Sequence, residues 1–149
     1  MNFFKHHQEK AQPLSVVPLF KGLNQQQLEL VAENADEVRS RPGEVLIHQG
    51  HLGHEFILIV EGKARVERDG QVINHLQAGD YLGEIALIDG HPRTATVITE
   101  EPSVLLTIQS RSFNLLLDRV PGLQRQMLMT LCARLRQAED EWRRLQAQK

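Results

Sequence analysis

The sequence has very little cysteine: Cys132 is the single thiol among 149 residues. One thiol cannot form a disulfide within the chain, and its scarcity favours a reducing compartment, so we expect a cytoplasmic protein. Long apolar runs are also missing, and none approaches the roughly 18 residues that a membrane-spanning helix needs. The formal net charge of −2 offers no basic excess of the kind that nucleic-acid-binding proteins carry. We therefore expect neither a membrane span nor a nucleic-acid-binding surface.

Catalytic signatures are absent from the sequence as well. It contains no Gly-x-Ser-x-Gly motif, no phosphate-binding loop of the Walker type and no Gly-x-Gly-x-x-Gly fingerprint. Cys132 lies among leucines on a predicted helix, which indicates a packing residue and not a nucleophile. The sequence therefore predicts a binding module and not an enzyme, built as one domain over residues 1–149.

The middle of the chain has the pattern of short β-strands. Eight of the ten glycines fall between Gly43 and Gly90 and separate six runs of β-type residues. The runs are 44–48, 55–60, 63–68, 71–76, 94–99 and 103–108. Asp69-Gly70 predicts a two-residue hairpin turn, because glycine accepts the positive φ which that turn requires. Short strands with frequent turns favour an antiparallel sandwich or barrel over a parallel α/β sheet.

Helical patterns flank this region on both sides. Asn24 predicts the N-terminal cap of a helix that continues through Val31. After residue 109, a short helix closed by Pro121 and then a long helix over 122–147 are predicted. We therefore expect a mainly β fold with flanking helices. Its three segments are an N-terminal helical segment (1–40), a β-barrel (41–109) and two C-terminal helices (110–149).

Residues 79–97 carry the strongest functional signal. Gly83 allows the backbone to approach another group closely, and residues 84–87 predict one helical turn whose free N–H groups can face an anion. Arg93 follows a rigid proline, and its planar guanidinium suits phosphate oxygens. Together with the carboxylate of Glu84, these groups fit a sugar phosphate. The alternative is that Glu84 and Arg93 simply pair with each other and fix a loop.

This segment resembles the phosphate-binding cassette of the cyclic-nucleotide-binding domain family. That family includes bacterial catabolite activator proteins, regulatory subunits of cyclic-nucleotide-dependent kinases and cyclic-nucleotide-gated channels. The resemblance rests on Gly83-Glu84-Ile85-Ala86-Leu87, on Pro92-Arg93-Thr94-Ala95-Thr96-Val97 and on the glycines at 43, 50, 62, 79 and 83. It implies an antiparallel β-roll or jelly-roll barrel with N-terminal helices and two C-terminal helices.

The resemblance also implies roles for the cassette residues. Arg93 would neutralise the cyclic phosphate, helped by the backbone N–H groups of Ala86 and Thr94. Glu84 would accept a hydrogen bond from the ribose 2′-hydroxyl, and the last helix would close over the base. Two more residues would line the pocket: Gly83 and Ile85. The expected ligand is cyclic AMP, on the resemblance to bacterial-type members. Cyclic GMP is the second choice, because a hydroxyl at the position of Thr94 can bond guanine in the family. Neither a cofactor nor a metal is expected.

Two positions depart from the family pattern. Leu82 stands where an aromatic residue is usual, and we interpret it as a core substitution. His51 and His54 stand in a turn where the family often has aspartates, and we expect this turn to lie far from the cassette. Neither departure removes the expected ligand contacts.

The same turn leaves a different class of function open. His48, His51 and His54 are spaced three apart and precede Glu55, which is similar to the first metal motif of cupins. Cupins are metal-dependent enzymes on a small β-barrel, but their ligands lie on strands, whereas glycines place these histidines in a turn. A third interpretation is a degenerate interaction domain that binds no ligand.

The long C-terminal helix carries an apolar seam. Apolar positions recur at intervals of three and four residues, at Leu128, Leu131, Leu135, Ala138, Trp142 and Leu145. The pattern predicts a parallel homodimer through the 122–147 helix. The charged residues on the two sides of the seam would be Arg134, Arg136, Glu139 and Glu141. The resemblance agrees, because family members of the activator type dimerise through this element. The alternative is that the helix folds back on the N-terminal helices. We expect an unidentified protein effector. No direct DNA binding is expected, because no helix-turn-helix follows before Lys149.

Overall fold

Eight strands form two antiparallel sheets. The computed structural model describes Leu14 and residues 17–148, without the side chains of Ile85 and Ala86. The strands are β1 (Asp36–Ser40), β2 (Val45–Ile47), β3 (Glu55–Glu61), β4 (Lys63–Arg68), β5 (Gln71–Gln77), β6 (Tyr81–Leu82), β7 (Thr96–Thr99) and β8 (Ser103–Gln109). Their order is β1-β8-β3-β6 in sheet one and β2-β7-β4-β5 in sheet two. The chain changes sheet at every connection except β4–β5. The antiparallel β-roll that the family resemblance implied is therefore confirmed.

Four helices flank the sheets. They are α1 (Gln25–Glu33), α2 (Glu84–Asp89), α3 (Ser110–Arg119) and α4 (Pro121–Ala147), preceded by a 3-10 turn at Pro18–Phe20. Asn24 caps α1 as predicted: its side-chain oxygen accepts a hydrogen bond from the backbone N–H of Gln27 at 2.8 Å, and the Gln27 side chain accepts one in return at 3.0 Å. None of the helices in the described part of the chain combines the length and hydropathy that crossing a membrane requires.

The strand β3 separates two hydrophobic clusters. Phe56 and Leu58 belong to the cluster beneath the helices, where the Phe56 ring stacks on Phe113 of α3 with centroids 4.8 Å apart. Ile57 and Ile59, on the other face of β3, belong to the cluster between the two sheets. Since both faces are covered, β3 is a continuous apolar run. Leu82 is also in the second cluster, which confirms its interpretation as a core residue.

The hairpin between β4 and β5 is confirmed at the predicted residues. Asp69 and Gly70 both have positive φ, at 53° and 81°, as a type I′ turn requires. Gln49 contacts this hairpin from outside the sheet: its side chain donates to the Asp69 carboxylate at 2.9 Å and accepts from the Asp69 N–H at 3.0 Å.

Two strands were not predicted from the sequence. The strand β1 lies inside the segment 1–40 that was expected to be helical, so the barrel begins before the predicted boundary at residue 41. Charged and exposed side chains hide β1 in the sequence, and it becomes a strand because five of its residues pair with β8. The two-residue strand β6 is too short to leave a periodic pattern. Residues 1–13, 15 and 16 of the predicted N-terminal segment lie outside the described residues.

The helix α4 is buried at its start and exposed afterwards. Leu123 and Met127 belong to the core beneath the helices, and this part of α4 packs beside the 3-10 turn and α3. The alternative in which the helix folds back on the N-terminal segment therefore applies to its first two turns only. Further along, Leu135 is 61 % exposed and Trp142 is 60 % exposed. Cys132 is exposed as well, so its expected packing role is wrong.

Candidate functional site

The cassette segment joins one sheet to the other and borders a cavity of about 290 Å³. The strand β6 belongs to sheet one and β7 to sheet two, so the chain between them must cross the gap at the end of the roll. The helix α2 and the loop before Arg93 make this crossing. The cavity is close to the lower end of the roughly 300–1,000 Å³ that is usual for small-molecule sites.

Four of the predicted site residues line this cavity: Gly83, Glu84, Arg93 and Thr94. The other two, Ile85 and Ala86, lie in the first turn of α2, and their side chains are outside the described part of the structure. Apolar side chains of sheet two cover the opposite wall, among them Val66, Leu76 and Val97. One further lining residue comes from outside the barrel, namely Arg134 of α4.

Arg93 is buried and clamped between two backbone carbonyls. The residue is 8 % exposed, and its Nη1 and Nη2 atoms donate to the carbonyl oxygens of Gly83 and Glu55, each at 2.7 Å. Burial lowers the pKa of the guanidinium from its usual value, while the charges of Glu84 and Glu55 oppose this shift. The group remains a cation at any physiological pH because arginine starts from so high a pKa.

Gly83 makes this clamp possible. Its φ of +94° lies in the left-handed region that favours glycine, and a Cβ atom here would stand 2.4 Å from Nη1 of Arg93 and 2.9 Å from the Glu55 carbonyl oxygen. Both the backbone conformation and the close approach therefore require glycine. The close approach expected from the sequence is present, and its partner is the guanidinium itself.

Glu84 is paired with a residue that the sequence analysis assigned elsewhere. Its side chain is 2 % exposed, and its Oε1 atom accepts a hydrogen bond from Nη1 of Arg134. Among the described contacts Glu84 and Arg93 have separate polar partners, so the loop-fixing pair considered as an alternative is not what the structure contains. Burying a carboxylate in this way requires a charged or hydrogen-bonding partner, and Arg134 supplies it.

Arg134 joins α4 to the cassette. Its guanidinium also lies 5.4 Å from the centroid of the Tyr81 ring, within the range of a cation–π contact. Burial raises the pKa of the Tyr81 phenol, so this ring is neutral at physiological pH. The sequence placed Arg134 only on the flank of a helical seam, because helical spacing does not reveal which distant carboxylate a side chain meets.

The loop between α2 and Arg93 is closed by its own hydrogen bond. The Asp89 carboxylate accepts from the backbone N–H of His91 at 2.9 Å, and this bond chiefly holds the pKa of Asp89 below its usual value. Thr94, next to Arg93, is exposed at the cavity, and its carbonyl oxygen accepts from Nε of Arg68 at 3.0 Å. Both contacts fix the backbone on either side of Pro92 and Arg93.

The histidine turn (residues 48–54) touches the cassette, so the expectation that it lies far away is wrong. The Gly50 N–H donates to the Arg93 carbonyl oxygen and the Arg93 N–H donates to the His51 carbonyl oxygen, each at 2.8 Å. The rings of His48 and His51 stack with their centroids 4.9 Å apart. In the part of the chain that the structure describes, no three His, Cys, Asp or Glu side chains converge as a metal site would need, so the geometry gives the cupin-like alternative no support.

Comparisons with known proteins agree on one family. The family model described as Cyclic nucleotide-binding domain matches residues 37–120. The cAMP-dependent protein kinase regulatory subunit of Schizosaccharomyces pombe is 36% identical over 113 residues, which cover 75% of this chain and 27% of that protein. The cGMP-dependent protein kinase of Eimeria tenella is 36% identical over 115 residues, which cover 76% of this chain and 11% of that kinase.

A solved structure shows the same likeness in three dimensions. The catabolite activator protein of Thermus thermophilus superposes with a TM-score of 0.79 at 29% identity, over 86% of this chain and 62% of that chain. Of the two kinase relatives, the chain spans about a quarter of the length of the Schizosaccharomyces pombe protein and about a tenth of the Eimeria tenella protein.

The pair formed by Glu84 and Arg134 should contribute to stability. Arg134→Gln should lower the free energy of unfolding by about 1–2 kcal/mol, because it leaves a buried carboxylate without its guanidinium, while the partial exposure of Arg134 screens the loss. In a Glu84→Gln background the same substitution should cost less than about 0.5 kcal/mol. Urea denaturation of the four variants measures this coupling.

The control is Arg136→Gln, because Arg136 is an exposed arginine on the same helix. Its loss should be small and equal in both backgrounds. An Arg134→Gln effect that is the same with and without the Glu84 carboxylate would show that the pair does not stabilise the protein.

Proposed function

Because the chain belongs to the cyclic nucleotide-binding domain family, we propose that it binds one 3′,5′-cyclic nucleotide in the cassette cavity and acts as a non-enzymatic regulatory domain in the cytoplasm. The observation that carries this proposal is that two buried side chains of opposite charge, Arg93 and Glu84, line one cavity. A cyclic nucleotide has an anionic phosphate and a free hydroxyl at neighbouring positions of one rigid ring system, which matches this pair of groups.

Arg93 would bind the cyclic phosphate. Its guanidinium is already oriented by the carbonyl oxygens of Gly83 and Glu55, so little side-chain entropy would be lost on binding. Two of its five N–H donors are used in these bonds. The backbone N–H groups of Ala86, in the first turn of α2, and of Thr94 would supply further donors to the same phosphate.

Glu84 would accept a hydrogen bond from the ribose 2′-hydroxyl. An ionised carboxylate has two oxygens and accepts only, and Arg134 occupies the Oε1 atom, so Glu84 can hold a second donor. Gly83 and Ile85 would border the ribose. The base would then extend towards α4, where Arg134 and Tyr81 line the cavity.

The shared use of Glu84 provides a route for signalling through α4. A ligand whose hydroxyl donates a hydrogen bond to Glu84 changes the free energy of the Glu84–Arg134 contact. By thermodynamic linkage, the position of α4 then changes the affinity for the ligand. The coupling cannot exceed the difference in ligand affinity between the two positions of the helix. We propose that a protein effector responds to this helix.

The phosphate contact can be tested by calorimetry with cyclic AMP and cyclic GMP. Arg93→Ala should weaken binding of either nucleotide by about 30-fold or more, because truncating one partner of a desolvated charge pair costs about 2–5 kcal/mol. The matched control is Arg65→Ala, since Arg65 is half-buried on β4 and pairs with Glu67. It should leave the affinity unchanged.

Two results would contradict the proposal. Wild-type protein that takes up neither cyclic nucleotide would favour the interpretation as an interaction domain without ligand. An Arg93→Ala variant with unchanged affinity would show that the phosphate binds elsewhere. Linear 5′-AMP, which carries a doubly charged phosphate without the ring, serves as the ligand control and should bind more weakly than cyclic AMP.

For the base, we propose cyclic AMP ahead of cyclic GMP. The support is the resemblance to activator-type proteins. The two kinase relatives do not discriminate, because one is cAMP-dependent and the other is cGMP-dependent. Thr94 is the residue to test, because it lines the cavity and the resemblance implies that a hydroxyl at this position can bond guanine. Thr94→Ala should weaken cyclic GMP by about 2–10-fold, the equivalent of one net hydrogen bond, and leave cyclic AMP nearly unchanged. Equal losses in calorimetry would remove Thr94 as a selectivity residue.

We also propose that the exposed face of α4 pairs with its copy in a homodimer. Leu128, Leu135 and Trp142 are spaced by seven residues, and each is at least 60 % exposed. A strict heptad repeat of this kind is self-complementary in a parallel coiled coil. In that register Arg134 would lie near Glu139 of the partner, so the flanking charges are also complementary. Arg134 would then connect the dimer seam with Glu84.

Sedimentation velocity tests the dimer. At tens of micromolar, wild-type protein should sediment as a dimer and Leu135→Glu as a monomer, because the substitution places two carboxylates in the seam. Val72→Glu is the control, since Val72 is 50 % exposed on β5 and is not part of the seam. Wild-type protein that stays monomeric with and without cyclic nucleotide would exclude the dimer.

A further inference from the structure

Gly53 is a glycine for a reason other than a positive φ. Eight of the ten glycines have positive φ, and only Gly53 and Gly122 do not. A Cβ atom at Gly122 would meet Leu23 at an ordinary 3.6 Å. A Cβ atom at Gly53 would lie 2.1 Å from both Cζ and Nε of Arg93 and 2.3 Å from Nη2. The backbone at Gly53 could therefore carry a side chain, and what excludes one is the guanidinium of Arg93.

The backbone of the histidine turn is tied down on both sides of Gly53. On one side, the N–H of Gly50 and the carbonyl oxygen of His51 pair with the backbone of Arg93. On the other side, the carbonyl oxygen of His54 accepts from the N–H of Ser110 at the start of α3, at 2.8 Å. The next residue, Glu55, supplies the carbonyl oxygen that binds Nη2 of Arg93. The turn thus contacts both the main chain and the side chain of Arg93.

We propose that Gly53 is a positioning residue for the phosphate site, and that the histidine turn forms the wall against which the Arg93 guanidinium is seated. This inference rests on the proposed function. Because the backbone of the turn is fixed on both sides of Gly53, whereas the guanidinium stands at the end of a long side chain with several rotatable bonds, a methyl group at Gly53 displaces the guanidinium and not the backbone. The guanidinium then loses its two carbonyl partners and its orientation towards the ligand, while the fold is kept.

The test compares Gly53→Ala with Gly122→Ala as matched control. Gly53→Ala should weaken binding of cyclic AMP at least about tenfold, the equivalent of one charge-assisted hydrogen bond. Gly122→Ala should leave the affinity unchanged. Wild-type affinity in Gly53→Ala would overturn the proposal.

NMR can report on the position of the Arg93 guanidinium against the histidine turn without any ligand. The signal is the Nε–H resonance of Arg93 in ¹H–¹⁵N spectra, which is assigned by its loss in Arg93→Ala. It should shift in Gly53→Ala and stay in place in Gly122→Ala. If wild-type protein binds no cyclic nucleotide, the proposed function fails, and this resonance alone decides whether the turn seats Arg93. An unshifted resonance in Gly53→Ala would overturn the seating.

The double variant Gly53→Ala, Arg93→Ala guards against a loss of fold. Without the guanidinium there is room for the methyl group, so the double variant should be as stable as Arg93→Ala. If Gly53→Ala is unfolded but the double variant folds, the contact with Arg93 is the reason for the glycine. If both are unfolded while Arg93→Ala folds, Gly53 has a backbone role and the proposal is wrong.

Discussion

The buried guanidinium of Arg93 is the constraint on which the site depends. A cation that is 8 % exposed has lost most of its water, and its burial is tolerated only where polar partners replace that water. Here the partners are carbonyl oxygens from Gly83 and Glu55, which belong to different parts of the chain. Arg93 therefore fixes the cassette against the start of β3, and glycines at 53 and 83 leave the space that it occupies.

A second buried charge connects the barrel to the long helix. Glu84 is more deeply buried than Arg93, and the partner that compensates its charge is Arg134 of α4. The start of α4 is held by the core at Leu123 and Met127, while the part beyond Arg134 is exposed. The Glu84–Arg134 contact is thus the last point at which the barrel holds the helix. This contact is the basis of the proposal that the position of the helix responds to a ligand bound at Glu84.

Local sequence signals predicted the elements whose pattern is set by nearby residues. The Asn24 cap, the Asp69-Gly70 hairpin and the strand β4 (Lys63–Arg68) were found at their predicted positions because each depends on a few neighbouring side chains or on one turn type. The strand β1 was missed, since it is a strand through its pairing with β8, which lies 71 residues along the chain at Asp36↔Thr107 and 63 at Ser40↔Ser103. Cys132 was misplaced, because helical periodicity does not tell which side of α4 is covered.

The sequence alone determined an antiparallel, mainly β fold with flanking helices and the composition of the cassette, because turn glycines, short β-type runs and the Gly-Glu and Pro-Arg pairs are local features. The more specific β-roll followed from the resemblance that the cassette carries. Only the tertiary structure decided which groups meet. It brought Gly53 against Arg93 and Arg134 to Glu84, across 40 and 50 positions of sequence. A charge that is buried from water needs a polar partner within hydrogen-bond distance. Which distant group comes that close depends on the fold and cannot be read from the spacing of residues along the chain.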